Sequence, residues 1–150
     1  MPMLFKFLGL ALIFLTCVSA GYIKSLSLRK KSENLRIAAN SVAELAGRIK
    51  IGGEICELIS VSFESSLVKC CDGKITVNRQ AFFKEEADLL EEFFGDIGMR
   101  DSLAEQERTA AFADILTKRH SESLPSSAEL CRLYNSIGVL GGIFLCIFFL

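Results

Sequence analysis

The sequence predicts an all-α fold, a helical bundle flanked by an N-terminal and a C-terminal transmembrane helix. Residues 3–23 are apolar apart from Lys6, and residues 133–150 carry no charged side chain. About 20 apolar residues form a helix that spans the hydrocarbon layer. Between these segments, apolar residues recur at helical spacing. We therefore divide the chain into an N-terminal transmembrane helix (1–23), a cytosolic helical domain (24–132) and a C-terminal transmembrane helix (133–150).

The N-terminal segment allows two interpretations. Lys6 followed by an apolar run and Val18-Ser19-Ala20 fits a cleaved signal peptide. However, basic residues are more frequent after the segment than before it, and the positive-inside rule then keeps the following residues in the cytosol. Those residues are Lys24, Arg29, Lys30 and Lys31, with Lys118, Arg119 and Arg132 before the second segment. We expect a multi-pass protein of the bacterial cell membrane whose soluble domain is cytosolic.

Two helices are predicted in the first half of the domain. Leucine, valine and isoleucine recur every seven residues between Lys24 and Ile51, and Gly52-Gly53 then ends this helix. The recurring residues are Leu28, Leu35, Val42 and Ile49, with Ala38 and Leu45 between them. A second helix is expected from Glu54 to about Cys71, followed by a turn at Asp72-Gly73 and an extended connection at 75–77.

Two further helices are predicted in the second half. The third runs from Arg79 to about Met99, with Asn78 as its N-cap. Its apolar stripe comprises Phe83, Ala87, Leu90, Phe94 and Ile97, widened by Phe82, Leu89 and Phe93. The fourth begins near Asp101 or Ser102, where Ser102 and Glu105 fit a capping box. Its predicted inner face is Ala104, Ala111, Ile115 and Leu116, with Leu103 and Phe112 beside it. Pro125 predicts a kink or break within 121–127.

Several kinds of chemistry are poorly represented in this sequence. The net charge of −1 argues against nucleic-acid binding. The single histidine, His120, follows Lys118 and Arg119, which repel a metal cation. We therefore expect no enzyme activity, catalytic residue, cofactor or metal ligand. No CxxC spacing occurs, and in a reducing cytosol we expect free thiols. The cysteines concerned are Cys56, Cys70, Cys71 and Cys131.

Two sets of residues are candidates for binding. The stretch from Glu85 to Glu107 contains nine carboxylates and one basic residue, so it forms either a solvated surface or a docking face for a basic partner. The candidate partner-binding residues are Glu85, Glu91, Glu92 and Asp96. Gly138, Gly141 and Gly142 could let a second helix approach closely. That helix would be the N-terminal one, through Gly9 and Ala20, or one from another subunit.

A family resemblance rests on the stretch Leu90-Glu-Glu-Phe-Phe-Gly-Asp-Ile-Gly-Met-Arg-Asp101, the following Gln106, and the stretch Leu133-Tyr-Asn-Ser-Ile-Gly-Val-Leu-Gly-Gly142. In these parts the chain resembles the stage III sporulation protein AB family of endospore-forming bacteria. Residues 35–52 also resemble the family's first cytosolic helix. The chain departs from the family in two places: it is shorter between Leu67 and Phe82, and Pro125 lies where a continuous helix is usual.

The resemblance implies a function for the domain. It implies a fold similar to that of the cytoplasmic domain of type II secretion F-type platform proteins. The chain would be a non-enzymatic adaptor of a secretion-like channel in the mother cell. Its partners would be the other stage III sporulation operon proteins, above all the secretion-like ATPase, and it could form a homo-oligomer. The alternative is a secreted or surface-anchored helical protein with a cleaved signal peptide and paired cysteines.

Overall fold

The fold of this chain, seen in a computed structural model, is all-α apart from one small hairpin. The structure describes residues 2–49, 54–71 and 73–149. The elements are α1 (Pro2–Ile49), α2 (Ile55–Ser62), β1 (Val68–Cys71), β2 (Lys74–Val77), α3 (Lys84–Gly95) and α4 (Ser102–Phe149), with a 3-10 turn at Arg79–Ala81 before α3. Two helices, α1 from Phe7 onward and α4 up to Phe148, are long and apolar enough to cross a membrane.

Two compact units make up the chain, and each long helix contributes to both. Met1–Lys30 and Leu124–Leu150 form the first unit, which we call the helix pair. Lys31–Ser123 forms the second, which we call the central domain.

From Leu35 onward, the apolar stripe of α1 lies in the core of the central domain, whereas Leu28 belongs to the helix pair and is half-buried. Leu35 and Val42 are completely buried, and Ile49 is nearly so. Ala38 and Leu45 between them are also buried, which confirms the predicted apolar face of this helix. The predicted stop at Gly52-Gly53 lies outside the described residues.

The predicted second helix is too long. α2 ends at Ser62, and β1 pairs antiparallel with β2 through Val68↔Val77 and Cys70↔Ile75. Burial alternates along both strands. Val68 and Val77, which pair with each other, lie in the core, and the residue next to each of them within its strand is exposed. Gly73 in the connecting loop has a φ of 75°, a conformation that glycine adopts without steric cost. The segment expected to be an extended connection is therefore a strand.

The third helix begins later than predicted. Asn78 does cap a helical segment, because its Oδ1 accepts a hydrogen bond from the backbone N–H of Gln80 at 3.2 Å, but that segment is the 3-10 turn. The backbone is extended again at Phe82 and Phe83. Phe82 consequently fills the core, whereas Phe83, predicted as a core residue, is half-buried. Leu90 and Phe94 are buried as expected.

The fourth helix is continuous through Pro125, so the predicted break does not occur. Serine hydroxyls donate to carbonyls of the helix on both sides of the proline: Ser121 to Lys118, Ser123 to His120 and Ser127 to Leu124. Such bonds satisfy helix carbonyls locally. The predicted capping box is also absent: the Ser102 hydroxyl donates to the Ile49 carbonyl at 3.5 Å, and the Glu105 carboxylate pairs with Arg108.

Candidate docking groove and helix pair

The helices α3 and α4 lie side by side in the central domain and run antiparallel. The Phe93 and Phe112 rings are stacked with their centroids 4.1 Å apart and their planes 1° from parallel. Toward the start of α3, Glu85 forms an ion pair with Arg119 of α4 at 3.8 Å. These contacts place the acidic helix directly against α4, with the two aromatic rings as the shared floor.

Arg108 ties the end of α3 to α4. Its guanidinium donates to the backbone carbonyls of Phe93 at 3.1 Å and Asp96 at 3.2 Å. It also pairs with the buried Glu105 at 3.2 Å and lies 4.9 Å from the centre of the Phe93 ring. One side chain therefore satisfies carbonyls that the helix end leaves free. Our sequence interpretation missed this residue, although its i,i+3 spacing from Glu105 was a usable signal.

An open groove of about 410 Å³ runs between the two helices. Its apolar lining is Leu89, Phe93, Ala111, Phe112 and Ile115, and its polar lining is Glu92, Asp96 and Arg108. Ile115 keeps 48% of its surface exposed and Ala111 is also exposed, so the predicted inner face of the fourth helix was partly wrong. Leu116 and Phe112 are buried as predicted, and α4 also buries Glu105, Thr109 and Ala113.

The four predicted partner-binding residues do not share one surface. Glu85, Glu92 and Asp96 are seven and four residues apart, so they follow one face of α3 and its C-cap. Glu91 lies on another face, where it accepts a hydrogen bond from Arg79 at 2.6 Å. The same guanidinium also contacts Asp88. Glu92 and Asp96 therefore border the groove, whereas the charge of Glu91 is already matched within the domain.

The helix pair is antiparallel and closely packed. The Cys146 thiol donates to the Leu10 carbonyl at 3.7 Å, and at the other end the Cys131 thiol donates to the Ser25 carbonyl at 3.4 Å. Between these points, α1 and α4 meet at glycines. A Cβ atom on Gly138 would lie 3.1 Å from the Cys17 carbonyl oxygen.

Two of the three predicted packing glycines lie in this contact. A Cβ on Gly142 would lie 2.8 Å from the Phe14 ring, and Gly138 faces Gly21 of α1. A Cβ on Gly141 would meet no atom within 4 Å, and the same holds for Gly9, which we had expected to contribute. Ala20, the other expected contact, is exposed. Gly21, which the sequence interpretation missed, supplies the closest approach.

Two of the cysteines are paired, which corrects the prediction of free thiols. Cys56 at the start of α2 forms a disulfide with Cys70 of β1, with their Cα atoms 5.7 Å apart. That separation is ordinary for a disulfide. Cys71 is an exposed free thiol and Cys131 a buried one. The sequence could not reveal this pairing because the hairpin that brings Cys70 back to α2 was not predicted.

Neither the histidine nor the carboxylates assemble a metal site in the part of the chain that the structure describes. Within it, no three His, Cys, Asp or Glu side chains are grouped as metal ligands. His120 is half-buried on α4.

Comparison with known proteins identifies the family. The sequence model of stage III sporulation protein AB matches residues 64–150, which is more than half of the chain. The chain belongs to the stage III sporulation protein AB family. The match includes the hairpin, the docking groove and all of α4, whereas the resemblance noted for residues 35–52 lies outside it. No significant match is found among curated proteins or among solved structures.

Membership in the stage III sporulation protein AB family indicates a role in stage III of sporulation. The two long apolar helices fit a membrane protein. Both features agree with the architecture expected from the sequence, an all-α fold with apolar helices at each end.

Proposed function

We propose that this chain is a non-enzymatic membrane adaptor of a secretion-like channel needed for endospore formation. The observation that supports it most directly is an acidic groove with an apolar floor on a domain whose chain continues into a membrane-length helix pair. A groove of this kind suits protein recognition, because apolar contacts supply affinity and charges select the partner. Family membership assigns the process, and the groove suggests the manner in which the adaptor takes part.

The helix pair supports a two-span arrangement with the central domain on one face of the membrane. Because α1 and α4 are antiparallel, residues 30 and 124 leave the pair at the same end. The excess of lysine and arginine at that end favours the cytosolic side by the positive-inside rule. We therefore propose a cytosolic domain on the mother-cell side.

The partner that we propose for the groove is the secretion-like ATPase. It would insert an apolar side chain against Phe93 and Phe112 and place basic residues beside Glu92 and Asp96. The exposed Ile115 adds apolar area at the groove wall. Other proteins of the same operon, or a second copy of the chain, would be bound through other surfaces.

Charge reversal tests this docking site. In a pull-down with the purified ATPase, the double variant Glu92→Lys/Asp96→Lys should lose about tenfold or more in affinity, equivalent to ~1.4 kcal/mol. The remaining binding should be less sensitive to salt, because screening acts on the lost charge pairs. Glu91→Lys should have a smaller effect, since Glu91 is held by Arg79.

The matched control reverses two acidic charges at positions outside the groove. Glu57 and Glu64 are exposed and remote in sequence from the groove, and the variant Glu57→Lys/Glu64→Lys should bind the ATPase like the unaltered chain. If both double variants lose affinity equally, net charge rather than the groove controls binding. If neither loses affinity, the docking site is wrong.

A second function remains a candidate because of the Cys56–Cys70 disulfide. Disulfides persist in oxidising compartments and are rare in the cytosol. The alternative is therefore a surface-anchored helical protein whose domain lies outside the cell. It would have lost its N-terminal segment as a cleaved signal peptide.

Labelling of Cys71 distinguishes the two functions. Cys71 is exposed and unpaired, so a membrane-impermeant thiol reagent can reach it wherever the domain is accessible. The test uses a chain with Cys17, Cys131 and Cys146 replaced by serine, and Cys71→Ser as the control. Protection in whole cells and labelling after lysis would support the adaptor. Labelling in whole cells would overturn the cytosolic placement and favour the surface protein.

A further inference from the structure

Basic side chains surround the helix pair at the end where the chain continues into the central domain. Lys24, Arg29 and Lys30 of α1 and Arg132 of α4 are all exposed. Within the described part of the chain, none of these four side chains takes part in an ion pair or a hydrogen bond. We call these four residues the basic collar.

Two of the collar residues, Lys24 and Arg132, lie at one level of the helix pair. The hydrogen bond from the Cys131 thiol to the Ser25 carbonyl, 3.4 Å long, places these two residues opposite each other. Lys24 and Arg132 adjoin them, so their charges are at the same height although they are more than 100 residues apart in sequence. The apolar segments end at this height on both helices.

Tyrosines mark the boundary between hydrocarbon and headgroups. Tyr22 is 55% exposed, and Tyr134 is half-buried two residues beyond Arg132 on the other helix. Tyrosine is enriched at this depth of membrane proteins. Arg29 and Lys30 lie five and six residues beyond Lys24, or roughly 8–9 Å along a helix. The collar therefore extends across the layer of lipid headgroups, which is about 5–8 Å thick on each side.

Acidic residues nearby do not neutralise the collar. Glu33, the next carboxylate along α1, accepts hydrogen bonds from Arg36 at 2.5 and 3.1 Å. Glu129, three residues before Arg132, is the sole acidic side chain in the described part of the helix pair. A surplus of positive charge consequently faces the headgroup layer.

We propose that the basic collar binds the phosphate headgroups of anionic phospholipids in the leaflet at the end of the helix pair where residues 30 and 124 lie. Lysine and arginine beside a membrane helix are attracted to anionic lipid surfaces. The apolar helix surface directly beneath the collar offers the acyl chains a place that free phosphate cannot use, so the ligand is a lipid. This inference rests on the membrane insertion proposed above and adds a ligand to it.

Lipid selectivity of the full chain provides the test. The chain is reconstituted in phosphatidylcholine vesicles with a trace of either spin-labelled phosphatidylglycerol or spin-labelled phosphatidylcholine. The ratio of their motionally restricted fractions measures the preference for the anionic lipid. We expect a ratio above one that falls toward one as sodium chloride is raised, because salt screens exposed charges. A ratio of one, or one that salt does not change, would overturn the proposal.

A charge-matched pair of variants locates the effect. Replacing the four collar residues by glutamine should bring the ratio close to one, with up to about fivefold lost for each charge removed. The control replaces four exposed basic residues of the central domain by glutamine: Lys69, Lys74, Lys84 and Arg100. It should keep the full ratio. Equal loss in both variants would mean that net charge alone sets the preference and would overturn the assignment to the collar.

Two further observations keep the test decisive. The substitutions Lys24→Arg and Lys30→Arg retain the charges, so this variant should keep the lipid preference even if the glutamine variant inserts poorly. Impermeant labelling of Cys71 reports the topology separately. If labelling supports the adaptor while the lipid ratio remains one, the lipid site is wrong and the proposed function stands.

Discussion

The close approach of α1 and α4 at Gly21 predicts that the variant Gly21→Ala destabilises the helix pair. The added methyl carbon would lie 2.7 Å from the Tyr134 carbonyl oxygen and 3.4 Å from the Gly138 Cα. The 2.7 Å contact is with backbone, which cannot rotate aside as a side chain can. The two helices must therefore separate until that contact reaches about 3.4 Å, an ordinary van der Waals distance.

The cost follows from the contacts that the separation weakens. A gap of about 0.5–1 Å forfeits a quarter to a half of each dispersion contact, and each contact is worth ~0.1–0.2 kcal/mol. Helices in a lipid environment associate chiefly through such packing. Forcing a methyl group into a packed interface costs ~1–3 kcal/mol, and we expect a loss in this range for the helix pair.

The matched control is Gly141→Ala on the other helix. A Cβ at Gly141 meets no atom within 4 Å, so this variant measures the effect of an added methyl group on the helix alone. Alanine favours a helix over glycine by ~1 kcal/mol. Gly141→Ala should therefore leave the stability of the pair unchanged or raise it slightly, whereas Gly21→Ala should lower it.

Alkylation of Cys131 in detergent micelles measures the opening of the pair. Its side chain is 2% exposed, and it reacts only when the helices separate. Each ~1.4 kcal/mol increases the open population tenfold, so Gly21→Ala should raise the rate roughly 5- to 150-fold. Equal rates for Gly21→Ala and Gly141→Ala, in chains whose other free cysteines are serine, would refute the packing argument.

Three further predictions concern the central domain. Leu90→Ala should lower the free energy of unfolding by ~2–5 kcal/mol in denaturant titrations, because Leu90 is fully buried, whereas Leu103→Ala at an exposed site should change it little. Cys70→Ser should lower it by about 3 kcal/mol, the value for a loop of similar length, and reductant should then have no further effect on stability. Arg108→Met should lower the free energy of unfolding by ~3–5 kcal/mol, because it leaves Glu105 as an unpaired buried charge. Adding Glu105→Gln should recover most of that loss, and failure to recover it would contradict the ion-pair explanation.

Local patterns in the sequence were sufficient for several elements. The apolar segments at both ends indicate helices that are apolar on all sides. The heptad spacing of Leu35, Val42 and Ile49 indicates which face of α1 is buried. The acidic and apolar faces of α3 were readable for the same reason. Burial in a helix repeats with the helical period, so a window of a few turns contains the information.

Short or non-helical elements were less accessible. The strands of the hairpin are four residues long, which is too short for alternation to be distinguished from one side of a helix. The sequence also failed to predict that Phe82 is buried more deeply than Phe83. A 3-10 turn stabilised by Asn78 displaces the start of α3, and one residue of displacement changes which ring faces the core.

The sequence by itself determined the all-α class, the two membrane-length helices, the α1 core stripe and the family. Those properties depend on composition and on spacing within a single element. Tertiary structure alone decided that Arg108 connects α3 and α4, that Cys56 meets Cys70, and that Gly21 rather than Gly9 faces Gly138. Each of these facts depends on the relative position of two segments distant in sequence, which is set by the packing of their side chains and leaves no periodic signal in either segment.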